Sequence, residues 1–153
     1  MTDFLIEPVV EYLPIARSLS KRGAKWEIFS EKDENDGNVH YLGSVKAELK
    51  ANSGIYVFYD SVGRAIYVGR ATRLKLWAEA NNAFNRDRKE HQSVWAVKHP
   101  ERNMKNSTTK RQIVRREFFL HEIAAYFSAY KVAQEHVNTL EAFLIRAFAN
   151  NLM

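Results

Sequence analysis

The chain has 153 residues, a formal charge of +5 and no cysteine, with 46% of its residues hydrophobic and 27% charged. That length suits one domain with a substantial core, and the composition is that of an ordinary globular protein. Disulfides and thiolate metal sites are excluded, and no apolar run approaches the ~18 residues a membrane span needs. The N-terminus shows no basic region followed by an apolar stretch, so the expectation is an intracellular, cytoplasmic protein with no membrane partner.

The charge is unevenly spread. Residues 1–53 carry seven Lys/Arg against nine Asp/Glu, whereas residues 54–153 carry sixteen against nine. The stretch 86–116 alone holds ten basic and three acidic residues. Such a run is either solvated surface or a surface suited to a polyanion.

In chain order, Phe4, Leu5, Val9, Tyr12, Leu13, Ile15, Ala16 and Leu19 are spaced for an amphipathic helix over 3–20, interrupted near Pro8 or Pro14. Residues 32–38 form a polar, acidic turn cluster, and 45–50 read as a short helix. Residues 1–50 are therefore expected to be an N-terminal extension packed on the domain, either as structure or facing a protein partner.

Two alternating runs rich in β-branched and aromatic residues follow, 54–59 and 65–69. Between them lies the turn-forming Asp60-Ser61-Val62-Gly63-Arg64, so the segment predicts a β-hairpin. Alternation puts Tyr56 and Phe58 on one face and Tyr59 on the other. Tyr56 and Tyr67, on paired strands, either fill a strand face or present two phenols to a common site. Thr72 is placed to cap a helix over 73–88, and 92–97 reads as a short strand. A polar loop over 99–109 leads to a second helix over 110–123, capped by Ser107 or Thr108. Residues 124–132 read as a third strand and 134–150 as a last helix. The expected fold is α+β, a small central three-stranded antiparallel sheet flanked by helices, with an extra N-terminal helical segment.

The blocks Gly54-Ile55-Tyr56 and Tyr67-Val68-Gly69, the charged and Asn-rich helix after them, the late Leu140-Glu141-Ala142-Phe143-Leu144-Ile145 and the terminal asparagines occur in a telling order. Together they resemble the GIY-YIG nuclease superfamily, which includes homing endonucleases, some restriction enzymes and the incision domain of bacterial nucleotide excision repair. The resemblance covers residues 54–151 and implies a metal-dependent endonuclease hydrolysing phosphodiester bonds in DNA. It implies that Tyr56 accepts a proton from, or orients, the attacking water, and that Tyr67 positions the scissile phosphate. It also implies that Glu141 holds Mg²⁺ or Mn²⁺ and that Asn150 or Asn151 braces the site.

The chemistry agrees with those residue types. Phosphodiester hydrolysis needs a positioned water, a proton acceptor, charge on the phosphorane and usually a metal. A phenol with a pKa near 10 serves as base only beside a cation or a metal-bound water. A glutamate on the apolar face of the last helix is costly without a partner, and one carboxylate plus water suits Mg²⁺.

One position departs from the family pattern. Many members have an arginine ten residues after the second block's tyrosine, where this chain has Trp77. One branch of the family has a helix similar to Leu76-Trp77-Ala78-Glu79-Ala80-Asn81-Asn82-Ala83-Phe84-Asn85-Arg86. That points to a phosphate-binding cation moved to Arg86 or Arg88, with Arg73 also on offer; otherwise the cation is lost and the domain binds without cutting. The resemblance places His91 as a base or phosphate ligand. Arg70 and Lys75 beside the hairpin mouth, with Arg73 and Lys89, are expected to contact nucleic-acid phosphates. His121-Glu122 and Glu135-His136 are poor metal pairs, because adjacent helical side chains diverge by about 100°. Three functions stay open: a nuclease, a catalytically silent nucleic-acid-binding module, and an interaction protein using its acidic N-terminal third.

Overall fold

The computed structural model describes residues 5–30, 39–86, 93–98 and 112–148, with only the backbone of 39–40, 93–98 and 112–117. In chain order the elements are β1 (Ile6–Pro14), β2 (Ser18–Leu19), β3 (Trp26–Glu27), α1 (Val39–Ala51), β4 (Gly54–Tyr59) and β5 (Ala65–Ala71). They continue as α2 (Leu76–Asn85), β6 (Ser93–Lys98), β7 (Gln112–Glu117), α3 (Leu120–Ile123), β8 (Tyr126–Val132) and α4 (Gln134–Ala147).

The hairpin forms where the sequence places it. Its loop is organised by Asp60, whose Oδ1 accepts the N–H groups of Val62 (3.0 Å) and Arg64 (2.9 Å). Gly63 takes φ 88°, the left-handed conformation glycine adopts without strain. These hydrogen bonds hold the Asp60 carboxyl below its ordinary range. β8 adds to the other side of β4, with Tyr56 opposite Ala129 and Phe58 opposite Phe127.

The sheet has four strands rather than three, in the order β1-β8-β4-β5, all neighbours antiparallel. The extra one is β1, formed by residues whose spacing predicts a helix. Two register shifts, between Pro8 and Val10 and between Val10 and Leu13, break the strict alternation of this strand. A bulged strand of that kind scatters its apolar positions into a near-helical spacing. Tyr12 has φ 50°, its N–H bonds Ser128 Oγ at 2.9 Å, and its ring lies 4.5 Å from that of Tyr59. Both prolines sit in an edge strand, where a missing N–H is tolerated and where a helix interior would be broken.

The helix expected over 110–123 is also replaced. Residues 112–117 form β7, paired with β6 so that Val97 is opposite Ile113 and Ala96 opposite Val114; among the described residues of that span only 120–123 is helical. The N-cap of α2 is Lys75, without a side-chain cap, and Thr72 precedes the helix in a bend.

Alternation along β4 divides the core between two faces. Tyr56, Phe58, Phe127 and Ala129 pack on one side with Val45 and Leu49 of α1, Leu76, Ala80, Ala83 and Phe84 of α2, Leu120 of α3, and Ile28 and Phe29. Ile55, Val57, Tyr59, Val68 and Val132 face the other side, covered by Val137, Leu140, Leu144 and Phe148. Positions 137, 140, 144 and 148 give α4 a single apolar stripe. Among the described residues no helix is long and apolar enough to cross a membrane.

Candidate functional site

Tyr56 and Tyr67 lie on the same face of the β4–β5 pair, with ring centroids 6.1 Å apart and their hydroxyls hydrogen-bonded. The Tyr56 hydroxyl also stands 3.4 Å from the Glu79 carbonyl oxygen of α2. Tyr56 is 1% exposed, whereas Tyr67 is half-buried. Burial first, then the Tyr67 hydroxyl and the Glu79 carboxylate, push the Tyr56 phenol far above its ordinary 10.0; the positive charge of Arg86 offsets this only in part. At neutral pH Tyr56 is thus a neutral hydrogen-bond donor, and Tyr67 is the phenol a ligand can approach.

Two side chains complete this group. Arg86 is exposed at the C-cap of α2, and Glu79 lies two turns earlier on the same helix. Seven residues is close to two helical turns, so both face the tyrosine pair. Arg86 was one of the arginines expected here. Glu79 was not assigned a role by the sequence, although its spacing from Arg86 was the available signal.

Trp77 does not leave its position vacant. Its ring makes an edge contact with Phe29 at 5.1 Å, and Lys46 Nζ lies 4.9 Å from the ring centroid. Asn81 and Asn85 of the same helix hold the segment beyond β2. Asn85 accepts from the Trp26 N–H (2.9 Å) and donates to the Trp26 carbonyl (2.7 Å), while Asn81 accepts from the Ile28 N–H (3.1 Å). Asn81 and Asn85 are therefore backbone clamps.

Glu141 belongs to a second group. It sits on the inward stripe of α4, on the Ile55–Val57 side of the sheet, opposite the tyrosines. Arg70 of β5 pairs across the strand with Ile55, on that same side. Its Nη1 donates to Asn138 Oδ1 at 2.7 Å and lies 3.3 Å from Glu141 Oε2. One cation thus stands between two oxygen ligands three residues apart on a helix. The Glu141 side chain is only 18% exposed, and burial raises its carboxyl above the ordinary value even though the guanidinium acts the other way. Asn138 was missed in the sequence, although three-residue spacing from Glu141 is a legible helical signal.

The sites are thus brought together as two clusters. Tyr56, Tyr67, Glu79 and Arg86 form one; Arg70, Asn138 and Glu141 form the other. Both flank β5, the edge strand of the sheet. Arg73 and Lys75 are exposed in the connection between β5 and α2. Arg88, Lys89, His91, Asn150 and Asn151 lie outside the described residues. Among the described residues no three acidic or histidine side chains gather as a metal site. A metal at Glu141 would therefore depend on one under-neutralised carboxylate and retained water, a donor set that suits Mg²⁺.

The chain matches no protein-family model, no curated protein and no solved structure.

Proposed function

We propose that this chain is a GIY-YIG-type endonuclease that hydrolyses phosphodiester bonds in DNA at the edge of β5. The observation carrying this reading is that one edge strand bears the half-buried phenol of Tyr67 on one face. Three residues on, its other face bears Arg70, paired with Glu141. Three strand residues span about 10 Å, so a nucleic-acid backbone crossing the edge meets both clusters.

In this reading Tyr67 contacts the phosphate or the attacking water. The neutral hydroxyl of Tyr56 orients Tyr67 and is no base, because burial dominates its titration. Arg86 supplies positive charge against the phosphorane beside Tyr67, and Arg70, on the other face, holds a neighbouring phosphate. Glu141 would hold Mg²⁺ or Mn²⁺, which when bound would stabilise the leaving oxygen. Its raised carboxyl supports that assignment: the guanidinium alone does not compensate the desolvated charge.

A second reading, a nucleic-acid-binding module that does not cut, has its own support. Tyr56 is almost wholly buried, and Trp77 packs against Phe29 where the family has its arginine. Incubating plasmid, linear duplex, branched DNA and RNA with the protein and Mg²⁺ or Mn²⁺ separates the two. Nicking by the wild type that is lost in Glu141→Gln supports the nuclease. Salt-sensitive binding in both proteins with no cleavage of any substrate removes it and leaves the binding module.

A further inference from the structure

The strongest feature outside the two clusters is a groove of about 620 Å³ between the β2–β3 ribbon and α2. Lys21, Arg22 and Lys25 from the ribbon and Lys46 from α1 line it, and among the described residues Glu27 is the only acidic one in its wall. The sequence hides this feature, because residues 1–53 are acidic on balance while 17–25 hold four cations and no carboxylate. Folding separates those cations by role. Arg17 is engaged in structure, donating to the His121 carbonyl at 2.9 Å and lying 4.4 Å over the Trp26 ring. Lys21, Arg22 and Lys25 are exposed, and among the described residues no carboxylate lies within ion-pair distance of them.

The ribbon is held rigidly enough to form a wall. Asn81 and Asn85 clamp the backbone of Trp26 and Ile28, and Ile28 and Phe29 are buried in the main core. The same helix that forms the opposite wall, through Asn81, Asn82 and Asn85, ends at Arg86. The groove wall, Arg86 and the Glu79 carbonyl beside Tyr56 thus all belong to one helix and its C-cap.

We infer that this groove is a nucleic-acid backbone site, in which Lys21, Arg22, Lys25 and Lys46 hold the phosphates of a strand whose continuation passes Arg86 to reach Tyr67. It rests on the nucleic-acid reading above but not on cleavage. Cations converging from two elements on a concave surface suit a chain of regularly spaced phosphates better than a single compact anion.

Fluorescence anisotropy with a labelled DNA duplex, titrated over a range of NaCl concentrations, tests the inference. The proteins are the wild type, Lys21→Ala/Arg22→Ala/Lys25→Ala, and Lys21→Arg/Lys25→Arg, with circular dichroism to check folding. Removing three phosphate contacts should flatten the slope of log K against log[salt] by about 2.7, or about 2 on a single strand. The arginine variant should keep the wild-type slope. Polyglutamate should compete far less well than DNA. An unchanged slope in the alanine variant, no binding by the wild type, or equal competition by polyglutamate overturns the inference. Nicking measured on the same three proteins tells the two claims apart. A flattened slope without any nicking keeps the groove and removes the nuclease. Nicking with an unchanged slope does the reverse.

Discussion

Gly69 lies directly beneath the phenol ring of Tyr56, so close that a β-carbon at residue 69 would overlap the ring carbon bearing the hydroxyl. Gly54, the first residue of the other block, is equally constrained: a β-carbon there would overlap the Tyr130 carbonyl of β8. Neither glycine has a positive φ, so each is required by space rather than by backbone conformation. Gly69→Ala should therefore displace Tyr56 and destabilise the fold by about 1–3 kcal/mol, the usual cost of overpacking a core. Urea denaturation measures this. A variant as stable as the wild type would mean the ring does not rest on that glycine.

The two tyrosines should separate stability from activity. Tyr56→Phe removes a buried hydroxyl from the Glu79 carbonyl and from Tyr67, at a cost of about 1 kcal/mol. Tyr67→Phe, at a half-buried position, should cost less stability yet reduce nicking by about 100-fold or more, the scale of a lost proton-transfer or positioning group. Equal losses of activity in thermally intact variants would assign both hydroxyls to the reaction.

Glu141 gives a pH-dependent expectation. Its carboxyl is raised by burial, so the folded chain binds that proton more readily than the unfolded chain does. Stability is then lost as pH rises through the interval above the ordinary carboxyl value of 4.5, and an amide avoids the loss. Glu141→Gln should melt about 2–4 °C higher than wild type near neutrality, equivalent to ~1 kcal/mol in a domain of this size. The gap should close near ~pH 4, where both side chains are uncharged. Thermal melts across pH check it, and a constant gap would show that ionisation of Glu141 is not the cause. Such a variant would be more stable and, in the nuclease reading, inactive.

Asn85 should matter more than its neighbour Asn82. Asn85→Ala leaves the Trp26 N–H and carbonyl without their carboxamide partner, at a cost of about 1–3 kcal/mol. Asn82 is exposed in the groove wall, and Asn82→Ala should stay within about 0.5 kcal/mol. Denaturant titration of both variants gives the comparison; equal effects would remove the clamp.

How far the sequence could be read depended on how local each signal was. The β4–β5 hairpin follows from alternation and from one loop closed by Asp60, all within about twenty residues. The paired Tyr56 and Tyr67 are legible for the same reason, because strand register sets which side chains share a face. β1 was not legible, since its partner β8 is more than a hundred residues away and its bulges disguise its period. The 112–117 segment failed similarly, because its ladder with 93–98 crosses a long connection.

The residues alone determined the hairpin, the helix, strand and last helix at 76–85, 126–132 and 134–147, the identity of the two phenols and the amphipathic stripe of the last helix. Those features depend on backbone geometry and on side-chain periods of two or 3.6 residues. Only the tertiary structure decided that Glu141 faces Arg70 across the sheet from the tyrosines, that Tyr56 is buried, and that Asn81 and Asn85 clamp the N-terminal ribbon. Which face of a sheet a distant helix covers, and how deeply a ring is enclosed, are set by packing among segments far apart in the chain.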